Sequence, residues 1–125
     1  MKQIIKTENA PAPIGPYNQA VLVNDVLYVS GQIAINPQTN ELISSSVEEE
    51  ARQVMDNLSA ILTAAGFTFE NVVKTTIFLT DMVLFPLVNE VYGSYFKGDF
   101  PARETVAVAG LPKNVNVEIS VVAVR

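Results

Sequence analysis

The chain has 125 residues, 49% of them hydrophobic and 17% charged, with 8 Lys+Arg against 13 Asp+Glu and a net charge of −5. That length allows one domain, residues 1–125, with a core that needs no disulfide or metal staple. Histidine, cysteine and tryptophan are absent, which excludes thiol and Ser–His nucleophiles, a histidine base and Cys/His zinc sites; the acidic balance weighs against nucleic acid, whose phosphates demand a basic patch.

At the N-terminus, Ile4-Ile5 between Lys2 and Lys6 is too short for a signal core, and no run approaches the ~18 apolar residues of a membrane span. A soluble cytoplasmic protein with no membrane contact is expected. The segment from Glu8 to Tyr17, with three prolines and one glycine, reads as an ordered loop because proline fixes φ. Strand-like runs follow at Gln19–Val23 and Val26–Ile35, joined by Asn24-Asp25 as a tight hairpin turn. Asn36–Asn40 is a turn.

Ser46 with Glu49 three residues on has capping-box spacing, and Glu48, Glu49 and Glu50 lie where a helix dipole favours negative charge. Ala51, Val54, Leu58, Ile61, Leu62 and Ala65 form a helical stripe that Gly66 stops. Val72–Leu79 is a β-branched, apolar strand. A second helix is expected over Asp81–Phe96, with Pro86 near its start. Two final strands, Arg103–Ala109 and Val115–Val124, are joined by Gly110–Asn114 and read as a hairpin. The fold class is α+β, a mixed sheet of about six strands with two helices on one face. Two helices cover one sheet face, yet runs such as Val72, Val73, Ile77, Phe78 and Leu79 are apolar on both. The low charge content points the same way, so a homo-oligomer is expected to cover the second face.

Matching the apolar faces of the last two strands, Val106 and Val108 against Val117, Ile119 and Val121, puts Arg103, Thr105, Glu118 and Ser120 together on the other face. A guanidinium and a carboxylate there can hold a small carboxylate and a polarised water. A solvated ion pair is the alternative reading of the same residues.

Taken in order, Gly15-Pro16-Tyr17 with Gln19-Ala20, Val29-Ser30-Gly31-Gln32, Pro37-Gln38-Thr39, Val73-Lys74-Thr75-Thr76 with Phe78, Val88-Asn89 with Tyr92, Pro101-Ala102-Arg103, Leu111-Pro112 and Val117-Glu118-Ile119 resemble the RidA (YjgF-type) family of imine and enamine deaminases over essentially the whole chain. The resemblance implies a chorismate-mutase-like fold and a homotrimer with clefts between subunits. It implies cofactor-free hydrolysis of 2-imino acids such as 2-iminobutanoate and 2-iminopropanoate to 2-oxo acids and ammonia. It assigns Arg103 to the substrate carboxylate and Glu118 to the attacking water, with Arg103 favouring the ionised carboxylate. Tyr17 is implied as a cleft residue supplied by a neighbouring chain, an exposed loop aromatic being the alternative, with Ser30, Gly31, Asn89 and the Thr105 backbone N–H binding substrate. For Ser30, a satisfied strand serine is the alternative. For Asn89, an exposed helix residue is.

Two positions depart from the family. Thr105 stands where cysteine is common, and Glu104 where a small or apolar residue is usual; alternation points Glu104 away from Arg103. A non-catalytic module binding a small carboxylate such as a 2-oxo acid remains a second reading. A nuclease or translation-inhibitory role is disfavoured by the charge and the missing histidine.

Overall fold

The computed structural model describes residues 1–125. In chain order the elements are β1 (Lys2–Ile5), β2 (Ala20–Val23), β3 (Val26–Gln32), β4 (Ile35–Asn36), β5 (Glu41–Leu42), α1 (Val47–Ala64), β6 (Val72–Leu79), α2 (Phe85–Gly93), β7 (Ala102–Ala107) and β8 (Val117–Val124). Six strands form one mixed sheet in the order β1-β2-β3-β8-β6-β7, and β4 pairs with β5 in a small ladder. Only β6 and β7 are parallel, as the α2 crossover between them requires.

The local signals explain the elements. Ser46 accepts the Glu49 N–H at 3.1 Å, so α1 begins at its cap. Gly66, at φ 81°, ends it: the N–H groups of Phe67 and Gly66 return to Leu62 and Thr63 at 2.8 and 3.0 Å, the Schellman pattern. Asn24, at φ 53°, makes the turn between β2 and β3. The proline-rich loop is held by buried Gln19, whose amide nitrogen reaches the carbonyls of Thr7, Ala10 and Pro11 at 3.0, 3.3 and 2.8 Å while its oxygen accepts the Thr7 N–H at 2.8 Å.

The expected second helix is shorter. Asp81 caps a 3-10 turn over Met82–Leu84 by accepting the Val83 N–H at 2.9 Å, and α2 proper starts at Phe85 with Pro86 in its first turn. The strand expected over Val26–Ile35 carries a bulge between Val29 and Gln32 and ends at Gln32, with Ile35 in the separate strand β4. The edge strand β1 and the ladder of β4 and β5 were not foreseen.

The larger correction concerns the end of the chain: β7 and β8 do not form a hairpin. β6 lies between them, pairing Thr75 with Arg103 on one side and with Val121 on the other. The reason is burial. Val117, Ile119, Val121 and Ala123 are all buried, so β8 takes the sheet centre, whereas the more polar Ala102–Ala107 segment takes the edge.

The helices pack on one face over a core that includes Leu27, Val54, Leu58, Ile77, Val88 and Ile119. The opposite face has no cover within the chain. It carries Ile4, Tyr28, Val106 and Val124, which are 43%, 53%, 40% and 38% exposed. No helix is long and apolar enough to cross a membrane.

Candidate functional site

Register decides which residues meet. Glu118 lies level with Phe78, and Phe78 with Val106; Thr75 lies level with Arg103, and Ile77 with Thr105. Side chains alternate along each strand, so Glu118 and Ser120 project from the open face while Arg103 and Thr105 project toward the helices. The expected common face for Arg103 and Glu118 is therefore wrong. It assumed that apolar Val106 faces the core, but Val106 is on the uncovered face. Glu104 does point away from Arg103, as alternation predicts: its carboxylate meets Lys74 Nζ at 3.0 Å and Thr76 Oγ1 at 2.6 Å.

The candidate residues fall into two groups. Glu118 sits with Tyr17, Ser30 and Gly31 in a cleft of about 330 Å³ that Ile14, Ile33 and Pro112 complete. Gly31 lets Glu118 seat where it does: a Cβ on it would lie 2.8 Å from Glu118 Cδ and 3.0 Å from Cγ, so a larger residue would push the carboxylate away. The carboxylate thus rests directly on the backbone of the β3 bulge. Burial pushes the Glu118 carboxyl above the ordinary glutamate range. The expected lowering by Arg103 does not occur within one chain, because the guanidinium belongs to the other face.

Ser30 donates its hydroxyl proton to the Asn18 carbonyl at 2.6 Å, so its hydrogen is satisfied within the strand's surroundings although the residue lines the cleft. The Tyr17 hydroxyl accepts the Ile14 N–H at 3.3 Å and so folds the loop over the cleft.

The second group surrounds Arg103. Its Nη1 donates to Asn89 Oδ1 at 2.7 Å, and its guanidinium carbon lies 5.4 and 5.1 Å from the ring centres of Phe85 and Tyr92. Phe85, Asn89 and Tyr92 are spaced to share one face of α2. They sandwich and aim the guanidinium at a hollow of about 470 Å³ lined by Asn89, Tyr92, Gly93, Phe100, Pro101 and Arg103. Tyr92 is itself tied to the sheet, donating to Thr75 Oγ1 at 2.9 Å. The aromatic cradle escaped the sequence reading, although its spacing on α2 was a usable signal.

Thr105 adds a backbone donor to this group. Val108 N–H is spent on the Leu79 carbonyl at 2.8 Å, so strand alternation turns the N–H groups of Arg103, Thr105 and Ala107 toward the free sheet edge. The Thr105 hydroxyl is buried with no hydrogen-bond partner. No cluster of three or more acidic, histidine or cysteine side chains is placed to hold a metal.

Comparison with known proteins adds the following. A family model described as Endoribonuclease L-PSP matches residues 7–125. A Homo sapiens protein named 2-iminobutanoate/2-iminopropanoate deaminase is 50% identical over 125 residues, covering 100% of this chain and 91% of the human one. The crystal structure of the Rid-family protein YyfA from Yersinia pestis superposes with a TM-score of 0.97 at 50% identity, covering 100% of both chains. That of E. coli TdcF with bound serine superposes with a TM-score of 0.95 at 42% identity, covering 98% of both.

Proposed function

Since the chain belongs to the RidA (YjgF-type) family, described by its family model as Endoribonuclease L-PSP, we propose that it is a deaminase that hydrolyses 2-imino acids such as 2-iminobutanoate and 2-iminopropanoate, in clefts completed between copies of the chain. The observation that carries this reading is the placement of Arg103 and Glu118 on opposite faces of the sheet, two strands apart and, by way of Thr75 and Phe78, three residues out of step along the strands, about 14 Å between their backbone positions at ordinary strand spacing and rise. In a 2-imino acid the carboxylate is bonded directly to the carbon that water attacks. One small substrate cannot reach both groups of a single chain. A second copy docked on the open apolar face brings the Arg103 edge of one subunit to the Glu118 cleft of the next. The family resemblance implies a homotrimer.

In that cleft Arg103 grips the substrate carboxylate in a two-pronged fork, aimed by Asn89 and the two rings. The free Thr105 N–H and the Gly31 backbone flank it. Glu118 holds the water and accepts one of its protons as oxygen attacks the C=N carbon. That proton passes to nitrogen to give a carbinolamine; Glu118 then takes the carbinolamine's hydroxyl proton and hands it to the departing nitrogen as the C–N bond breaks and C=O forms, so imine and water give a 2-oxo acid and ammonia. A carboxyl raised by burial is suited to both halves of this exchange. Tyr17 and the Ile14, Ile33 and Pro112 side chains close the cleft on its apolar side.

The 50% identity to a protein named as this deaminase supports the reading, as does bound serine in TdcF, an amino acid with the carboxylate that Arg103 would hold. Net charge −5 and the lack of histidine make RNA cleavage a poor fit. The test generates 2-iminobutanoate in situ from threonine with a dehydratase and traps survivors with semicarbazide. Wild type lowers the trapped product and Arg103→Ala does not. Calorimetric binding of 2-oxobutanoate without any turnover would favour the non-catalytic module instead.

A further inference from the structure

Glu50 is 3% exposed and forms no ion pair. Its carboxylate accepts the N–H of Asn116 at 2.8 Å, the Asn116 side-chain amide at 2.9 Å and the N–H of Val117 at 3.2 Å. The next residue along the strand is Glu118. Asn116 is held from the other side as well, its carbonyl accepting the Thr80 N–H at 3.1 Å. A buried carboxylate without a cation is a costly way to join a helix to a strand, and an apolar side chain there would serve stability as well or better. What the carboxylate adds is position, because it fixes the strand end from which Glu118 projects.

Two turns further along α1, on the same face, Asn57 is 1% exposed. It donates to the carbonyls of Ile33 and Ile35 at 3.1 and 3.0 Å, and its oxygen accepts from Gln53 at 2.9 Å. Residues 33–35 follow the bulge that carries Gly31, the glycine on which the Glu118 carboxylate rests. One helix face therefore grips both walls of the cleft: β8 through Glu50 and the segment after β3 through Asn57.

We propose that Glu50 is a positioning residue for the reaction, acting as a triple acceptor that keeps the Glu118 carboxylate seated over Gly31; this rests on the reading of Glu118 as the group that holds water. The role is that of an acceptor rather than a charge. A glutamine can accept both backbone N–H groups through its oxygen while the Asn116 amide turns over to take its NH₂. Substrate capture by Arg103 is remote from this contact, so the effect falls on kcat and spares KM.

The experiment measures kcat, KM and Tm for wild type, Glu50→Ala, Glu50→Gln and Val54→Ala, the last a fully buried position on the next turn of α1. Glu50→Ala is expected to lose at least about tenfold in kcat, since ångström-scale misplacement of a reacting group can cost ~100-fold, with KM within about twofold. Glu50→Gln recovers most of the rate, and Val54→Ala loses Tm but keeps kcat. Equal losses in Glu50→Ala and Glu50→Gln, or an equal loss in Val54→Ala, overturn the proposal. An unfolded Glu50→Ala passes the test to Asn116→Ala, which removes one of the three bonds; an unchanged kcat there overturns it. An active wild type with unimpaired Glu50 variants defeats this proposal alone, whereas an inactive wild type defeats the deaminase reading and this proposal with it.

Discussion

Replacing Gly31 with alanine should cost far more in rate than in stability. The added Cβ would sit 2.8 Å from Glu118 Cδ and closer still to its Oε2, where ordinary contact needs about 3.5 Å. The carboxylate must therefore retreat by roughly 1 Å. It is the end of a rotatable side chain at the edge of a cleft, so the fold loses little: about 1–2 kcal/mol from an off-rotamer side chain and mild overpacking, seen as a few degrees in Tm. The rate loses much more, about 100-fold, because a reacting group displaced by about 1 Å forfeits its alignment. Calorimetry and the semicarbazide trap read the two effects on the same preparation. In a Glu118→Ala background the alanine at 31 has nothing to strike, so it should cost no further activity. Full turnover by Gly31→Ala would refute both the seating of Glu118 on that backbone and its part in the chemistry.

Other expectations follow from the same geometry. Arg103→Lys keeps the charge but loses the fork and its stacking on Phe85 and Tyr92; KM should rise by more than about tenfold while circular dichroism stays unchanged, and a wild-type KM would contradict carboxylate binding by Arg103. Burial raises the Glu118 carboxyl, so the native state holds its proton more tightly than the unfolded chain and this group costs stability as pH rises through that raised value. Glu118→Gln should accordingly raise Tm at neutral pH, with the gain vanishing below the ordinary glutamate range; a gain independent of pH would count against the assignment. Thr105→Val removes a buried hydroxyl that has no partner and should stabilise the protein by about 1 kcal/mol, with turnover kept because only the backbone N–H of that position is used. A lower Tm in that variant would mean that the hydroxyl is satisfied in the assembled protein.

The sequence made some of this legible for local reasons. Ser46 and Gly66 announce the ends of α1 because caps are chemistry between near neighbours. Gly31 marks a close approach because any Cβ there would displace the neighbouring side chain. The pairing of the last strands was not legible, since alternation sorts side chains between two faces without saying which strand lies alongside. Val106 misled further: an apolar residue was read as core, but an uncovered sheet face is apolar too. The contacts of Gln19, Glu50 and Asn57 were not legible because their distant partners lie 8 or more residues away and, the Asn116 amide apart, are backbone atoms. The β1 strand was overlooked because four residues on a sheet edge, only Ile5 among them buried, carry too little pattern.

The claim that one chain holds only half of each site is tested most directly by mixing two inactive variants, Arg103→Ala and Glu118→Ala, unfolding them together and refolding. If sites form between subunits, random assembly joins an intact Arg103 edge to an intact Glu118 cleft in about one site in four, and imine hydrolysis returns to roughly a quarter of the wild-type rate. A refolded mixture as inactive as either parent, with wild type recovering in parallel, would contradict the account and put both residues to work within a single chain.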